Sequence, residues 1–158
     1  MNVIKNNPGD FFVCKNCGRF VEDKPLGTKN RNHCPFCLWS QHLDEKIPGD
    51  RKSSCQGKME PIAVCFKKSK FDKYKGKERG ELMIVHRCLL CNRVSWNRIA
   101  GDDDPQEIWK IYLSSFKRLQ EIQEFLPSGL DLALPFDEQE VKNQLFGKEV
   151  NLGVAERT

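Results

Sequence analysis

Cys14-Lys15-Asn16-Cys17 and Cys34-Pro35-Phe36-Cys37 are separated by 16 residues, and this arrangement constrains the chain more than any other feature. Two residues between cysteines let the backbone curl so that both sulfurs face one ion. Two such pairs at this separation give the spacing of a four-thiolate zinc site. Gly18 after the first pair and Pro35 inside the second suit tight knuckle turns. Four thiolates leave no open coordination position, so the expected role is structural. An iron–sulfur cluster and two redox pairs are the alternatives.

Cys88-Leu89-Leu90-Cys91 is a third pair without a fourth to match it. Cys55, in Cys55-Gln56-Gly57-Lys58-Met59, reads as a knuckle that has lost its other cysteine. Cys55, Cys88 and Cys91 then need a fourth ligand, and His42, His86, Cys65 and Asp50 are available. Cys65 sits in an apolar run, where it reads as a buried thiol. His86 shares a strand face with Cys88. His42 lies 13 positions before Cys55 and is the preferred partner for that half-knuckle, with His86 as the alternative. His33, beside Cys34, reads as a hydrogen-bonding support for a thiolate or a carbonyl. Three ligands plus a water would instead describe a catalytic zinc. The nucleobase-deaminase signature fails, because His42-Leu43-Asp44-Glu45 has the wrong spacing and follows the cysteine pair. No catalytic residue is assigned.

The eight cysteines have a compartment reading too. After Met1 the sequence is polar and has no signal-peptide core, and no apolar run approaches the ~18 residues of a membrane helix. A reduced, cytoplasmic setting is therefore expected, where paired thiolates hold metal rather than disulfides. Only 39% of the 158 residues are hydrophobic, so the core is modest and two zinc ions are expected to staple it.

The string Arg31-Asn32-His33-Cys34-Pro35 resembles the signature of the RNHCP domain family. The surroundings match as well: Cys14-x-x-Cys17-Gly18, Leu38-Trp39-Ser40-x-His42, Pro48-Gly49-Asp50-Arg51, Cys55-x-Gly57-x-Met59-x-Pro61-Ile62, His86-Arg87-Cys88-x-x-Cys91 and Asn97-Arg98-Ile99-Ala100-Gly101-Asp102-Asp103. The resemblance covers roughly residues 10–104 and implies a small, cysteine-rich, metal-binding module; it implies no reaction. Asn92 departs from the glycine usual after a knuckle, and Cys65 stands outside the pattern.

The expected fold is α+β: a small zinc-ribbon-like β domain with two metal sites, then a C-terminal helical extension. Residues 11–40 read as the ribbon. Pro61–Phe66 and Glu81–Arg87 read as a hairpin with a charged tip between them. Asp104 and Pro105 open a helix expected near 105–126, with Ile108, Tyr112, Leu119, Ile122 and Leu126 as its apolar stripe and Ser115 interrupting it. Asp137 and Glu140 suggest a capping arrangement for a second helix near 137–146.

Charge divides at the same place. Residues 1–101 carry 20 Lys+Arg against 10 Asp+Glu, while residues 102–158 carry 6 against 12. A basic, cysteine-bearing domain, 1–101, and an acidic extension, 102–158, follow. The tip from Phe66 to Arg79 holds seven Lys/Arg and two acids, interleaved with Phe66, Phe71 and Tyr74. Lysines attract phosphates and aromatics stack on bases, so RNA is the expected partner. Arg31, Asn32, Lys67, Lys68, Lys70, Lys73, Lys75, Lys77 and Arg98 are the expected contacts. The Asp-rich turn after Arg98 reads as a helix cap with Arg98 paired to an acid, and a catalytic or magnesium-binding acid cluster is the alternative. The lead reading is a non-catalytic structural zinc protein that binds RNA in the ribosome or another ribonucleoprotein. The alternatives are a protein–protein adaptor docking through the acidic helices, and a zinc hydrolase or nuclease with an open second site.

Overall fold

The computed structural model describes residues 11–22, 31, 33–47, 50–68 and 79–147. A small antiparallel hairpin comes first, β1 (Phe11–Val13) with β2 (Phe20–Glu22). The main sheet follows, made of β3 (Ser40–Gln41), β4 (Lys58–Lys67), β5 (Leu82–Cys88) and β6 (Val94–Arg98), all antiparallel to their neighbours. The apolar runs expected to form a hairpin are β4 and β5, and they pair along their whole length except at a bulge between Pro61 and Ala63.

The 102–158 extension differs from expectation in three ways. Its division from the rest is one of charge, not of packing. β7 (Leu130–Leu132) pairs with the C-terminal half of β4, on residues Cys65, Phe66 and Lys67, and so completes a five-stranded sheet. The long helix is broken: α1 (Pro105–Ser115) passes through a tight turn at Phe116–Arg118 into α2 (Leu119–Phe125). Ser115, the interruption in the apolar stripe, is buried and turns its hydroxyl onto the Tyr112 carbonyl at 2.7 Å. Asp104 caps α1 as expected, accepting from the Gln106 N–H at 2.9 Å. Asp137 does not cap α3 (Glu138–Phe146) with its side chain; it accepts from the Leu134 N–H and from Arg79 instead.

That break lets the helices cover both faces of the sheet. Ile108, Ile111 and Tyr112 of α1 and Val141 of α3 pack on Val64, Phe66, Leu82 and Ile84. Ile122 of α2 packs on the opposite face, on Ala63, Cys65, Met83 and Val85. Strands buried on both sides need no polar alternation, which is why β4 and β5 read as unbroken apolar runs. Cys65 is a fully buried thiol, pushed up to about 12 by burial and by the Asp131 charge.

Candidate metal centres

Three of the cysteine turns share one backbone geometry. In the first, the Gly18 N–H bonds to the Cys14 carbonyl at 2.8 Å and the Cys14 N–H to the Arg19 carbonyl at 2.9 Å. Leu38 and Trp39 repeat this around Cys34, and Asn92 and Arg93 around Cys88. Each turn closes on a left-handed residue: Gly18 at φ 77°, Leu38 at 64° and Asn92 at 64°. Glycine and asparagine take that conformation at little cost, so Asn92 serves where glycine is usual. Leucine does not, yet Leu38 is fully buried in the core beneath α1, and that burial offsets the strain.

The first group is Cys14, Cys17, Cys34 and Cys37. Cys14 Sγ lies 3.6 Å from Cys37 Sγ, and Cys17 Sγ lies 3.7 Å from Cys34 Sγ. A tetrahedron with ~2.3 Å metal–sulfur arms has an edge of roughly 3.8 Å, so the sulfurs stand where one ion would hold them. Burial pushes the Cys34 thiol up to about 12, although the N–H groups of Cys37 and Phe36 pull the other way. A cation at the centre would supply the field that ionises it.

The second group is His42, Cys55, Cys88 and Cys91. The Cys55 and Cys88 sulfurs are 3.6 Å apart, and His42 Nδ1 is 3.3 Å from Cys91 Sγ. Sheet register assembles it. The pairing of Gln41 with Lys58 continues as a bond from the His42 N–H to the Gly57 carbonyl at 2.9 Å, which sets His42 beside Cys55. Met59 pairs with Cys88, so the third knuckle opens at the same end of the sheet. Gly57 passes so close that a Cβ there would lie 2.7 Å from Cys88 Sγ. Burial raises the Cys88 thiol, but the Cys91 and Leu90 N–H groups and the neighbouring thiols outweigh it and hold Cys88 below its ordinary value.

The other candidates for the fourth ligand are engaged elsewhere. His86 Nε2–H donates to the Leu38 carbonyl at 2.7 Å, and its Nδ1 accepts from Asn97 Nδ2 at 2.9 Å. Burial and the neighbouring His33 bring its pKa down to about 3, so it is a neutral strut of the core. Asp50 accepts from the N–H groups of Ile47, Glu45, Lys52 and Lys46, which hold its carboxyl well below the usual range and organise the loop. All eight cysteines are free thiols rather than disulfides. Each group could hold a metal ion, and the thiolate-rich donor sets fit zinc.

Arg31 and His33 have a different task from the one expected. Arg31 is not a free cation: it is buried, forms a two-pronged ion pair with Asp102, lies 3.7 Å from Asp103, and donates to the Glu22 carbonyl. His33 does not support a thiolate. Its Nε2 meets Asp103 Oδ2 at 2.6 Å, and its ring lies 5.9 Å from that of His86. Asp103 also accepts from the Ala100 N–H at 2.8 Å, and the Asp104 N–H bonds to the Pro35 carbonyl at 2.9 Å. The string around Cys34 is therefore a clasp that fastens the first metal group to the start of α1.

This geometry accounts for two separated motifs at once, and the RNHCP domain matches residues 9–109. The chain belongs to the RNHCP domain family. The match ends inside α1, so the clasp lies wholly within the RNHCP domain. No curated protein and no solved structure matches the chain.

The remaining expected contacts are scattered. Arg98 is exposed but paired with Glu81 at 2.9 Å. Lys67 is exposed at the end of β4, and Lys68 lies 3.9 Å from Asp131. Asn32, Lys70, Lys73, Lys75 and Lys77 lie outside the described residues. Among the described residues, no helix is long and apolar enough to cross a membrane.

Proposed function

We propose that this RNHCP protein is a non-catalytic module held together by two structural zinc ions, and that it binds RNA as part of the ribosome or another ribonucleoprotein in the cytoplasm. Zinc is favoured over harder cations because seven of the eight donors are sulfur. A structural role is favoured because each group already offers four donors, which is a closed zinc shell. Cysteines gathered in two sets that could hold metal suit a reducing compartment, where paired thiolates serve metal.

The observation that carries the RNA reading is the charge division, +10 over residues 1–101 against −6 over residues 102–158. Several acids of the extension are spent on body cations: Asp102 on Arg31, Glu121 on Arg87, Asp137 on Arg79. The Phe66–Arg79 sequence carries seven Lys/Arg against two acids, an excess of the sign that phosphates attract. The adaptor reading is less favoured, since Ile108, Tyr112 and Ile122 of the apolar stripe pack on the protein's own sheet. The hydrolase reading is less favoured, since His42 as a fourth donor would leave no open position.

Neutralising Lys67, Lys68, Lys70, Lys73, Lys75 and Lys77 together tests the RNA reading. RNA affinity should fall, and the dependence of log K on log salt should flatten by about 0.7–0.9 for each phosphate no longer engaged. Unchanged affinity and slope would contradict it, since exposed lysines contribute little to the fold.

A further inference from the structure

With the Arg31 charge spent on Asp102 in the clasp, other cations must supply the positive charge for RNA near the first metal group. Some described cations are paired with a carboxylate, and others, Lys46, Lys52, Lys67, Arg93 and Lys117 among them, have no ion pair with a described residue. In the sheet and helices, Arg79, Arg87, Arg98 and Arg118 each sit against a carboxylate. Around the first metal group, Lys15, Arg19 and Lys58 have no carboxylate within ion-pair distance among the described residues. Arg19 and Lys58 lean on aromatic rings and an amide instead. The Arg19 guanidinium stands 4.8 Å from the centre of the Phe36 ring. Lys58 Nζ stands 5.3 Å from the centre of the Trp39 ring and 3.4 Å from Asn16 Oδ1. Asn16 belongs to the first knuckle and Trp39 closes the second, so Lys58 spans the seam between them.

A cavity of about 170 Å³ opens at this seam, with Phe12, Lys15, Asn16 and Trp39 in its wall. Among the described residues, no acidic side chain lines it. That separates it from the larger cleft beside His42, which Asp44 and Glu45 help to line.

We propose that this cavity takes one unpaired base of single-stranded RNA, stacked on Trp39, with Lys15 and Lys58 on the flanking phosphates. The proposal rests on the RNA reading above and names the form of RNA and the place where it is read. Cations without carboxylate partners are free to replace the counterions of a phosphate chain. An aromatic wall provides the stacking that single-strand binders use, whatever the base. A base must be unpaired and unstacked to enter a cavity, whereas the bases of a duplex are stacked on one another.

The test titrates the full-length, metal-loaded protein with a labelled single-stranded polyuridylate of about twelve nucleotides, within the ~4–16 that one such module covers. A hairpin duplex of equal charge is the comparison. The wild type should favour the single strand. Trp39→Ala should weaken single-strand binding by about tenfold or more with an unchanged salt slope, and Trp39→Phe should restore most of it. Lys15→Ala with Lys58→Ala should flatten the slope instead, and both variants should keep their metal content. Lys15 is at an exposed tip, so this arm stands even if Trp39→Ala misfolds. If both sets of variants bind like wild type while the tip-lysine variant is weakened, the cavity is not the site and the RNA reading survives. A wild type that binds neither RNA overturns both. Equal binding of duplex and single strand overturns the stacking claim alone.

Discussion

The two metal groups use the same knuckle turn but are set in the molecule in opposite ways. The first hangs on the β1–β2 hairpin, whose apolar cluster is Cys14, Val21 and Cys34 with Phe12 and Cys37 at its margin. Three of those five residues are in the metal group itself. A two-stranded hairpin of this size is marginal alone, so this part would depend on a bound metal and on the clasp of Arg31 and His33 on Asp102 and Asp103. The second group stitches one end of a five-stranded sheet whose two faces are already covered by helices. There the metal would fasten a structure that apolar burial has largely built. The same coordination chemistry therefore makes a fold in one place and trims one in the other.

The largest effect that would break this contrast is local unfolding. Cys34→Ser should abolish the first site and release the hairpin, because metal-binding free energy there is folding free energy. The sheet should persist: amide exchange should rise in residues 11–22 and stay slow in β4 and β5. Collapse of the whole chain would mean the two groups are not independent.

Next is the clasp. Arg31 is buried, but its two-pronged partner Asp102 is half-exposed and Asp103 keeps its bonds from His33 and the Ala100 N–H, so losing Arg31 costs about 2 kcal/mol, part of the ~3–5 kcal/mol of a fully buried pair. Arg31→Ala should lower the unfolding free energy on that scale while two metals remain bound. A destabilisation below about 1 kcal/mol would show that Arg31 is the free surface cation its sequence suggests.

The smallest effect concerns reactivity. Cys65 belongs to neither group, is fully buried, and its pKa is pushed up to about 12, so its thiolate is scarce at neutral pH. Chelator with an alkylating reagent should label the other seven cysteines and leave Cys65 unmodified until denaturant is added. Labelling of Cys65 with the rest would mean that the sheet depends on metal after all.

The contrast also explains what could be read in the sequence. The first group was legible because all four ligands sit in two local turns, and spacing alone brings them together. The second needed the register of β3 on β4, which no local pattern states. His86 was a fair rival to His42 because it shares a strand face with Cys88, and only its bonds to Leu38 and Asn97 remove it. Gly57 was a usable signal, since a glycine beside a lone cysteine marks a close approach of backbone to sulfur. The clasp was not legible: Arg31 and Asp102 are 71 positions apart, and a buried arginine looks like an exposed one in sequence. β7 was missed because Leu130-Asp131-Leu132 is too short to show alternation. The unbroken apolar runs of β4 and β5 read as a hairpin, and the cover on both faces that they also imply was not drawn from them; the break at Ser115 was visible before its meaning was.

The central claim is that each chain holds two structural zinc ions in sites of unequal importance. Elemental analysis of the native protein, paired with native mass spectrometry of His42→Ala and Cys34→Ser, tests it most directly. The account predicts two zinc ions per wild-type chain. His42→Ala should remain folded, with one site weakened by more than the ~10–100-fold that losing an outer hydrogen-bond partner costs. Cys34→Ser should keep one ion and lose the order of its hairpin. One zinc or none in the wild type, iron in its place, or a His42→Ala variant that holds both ions at full affinity would contradict it.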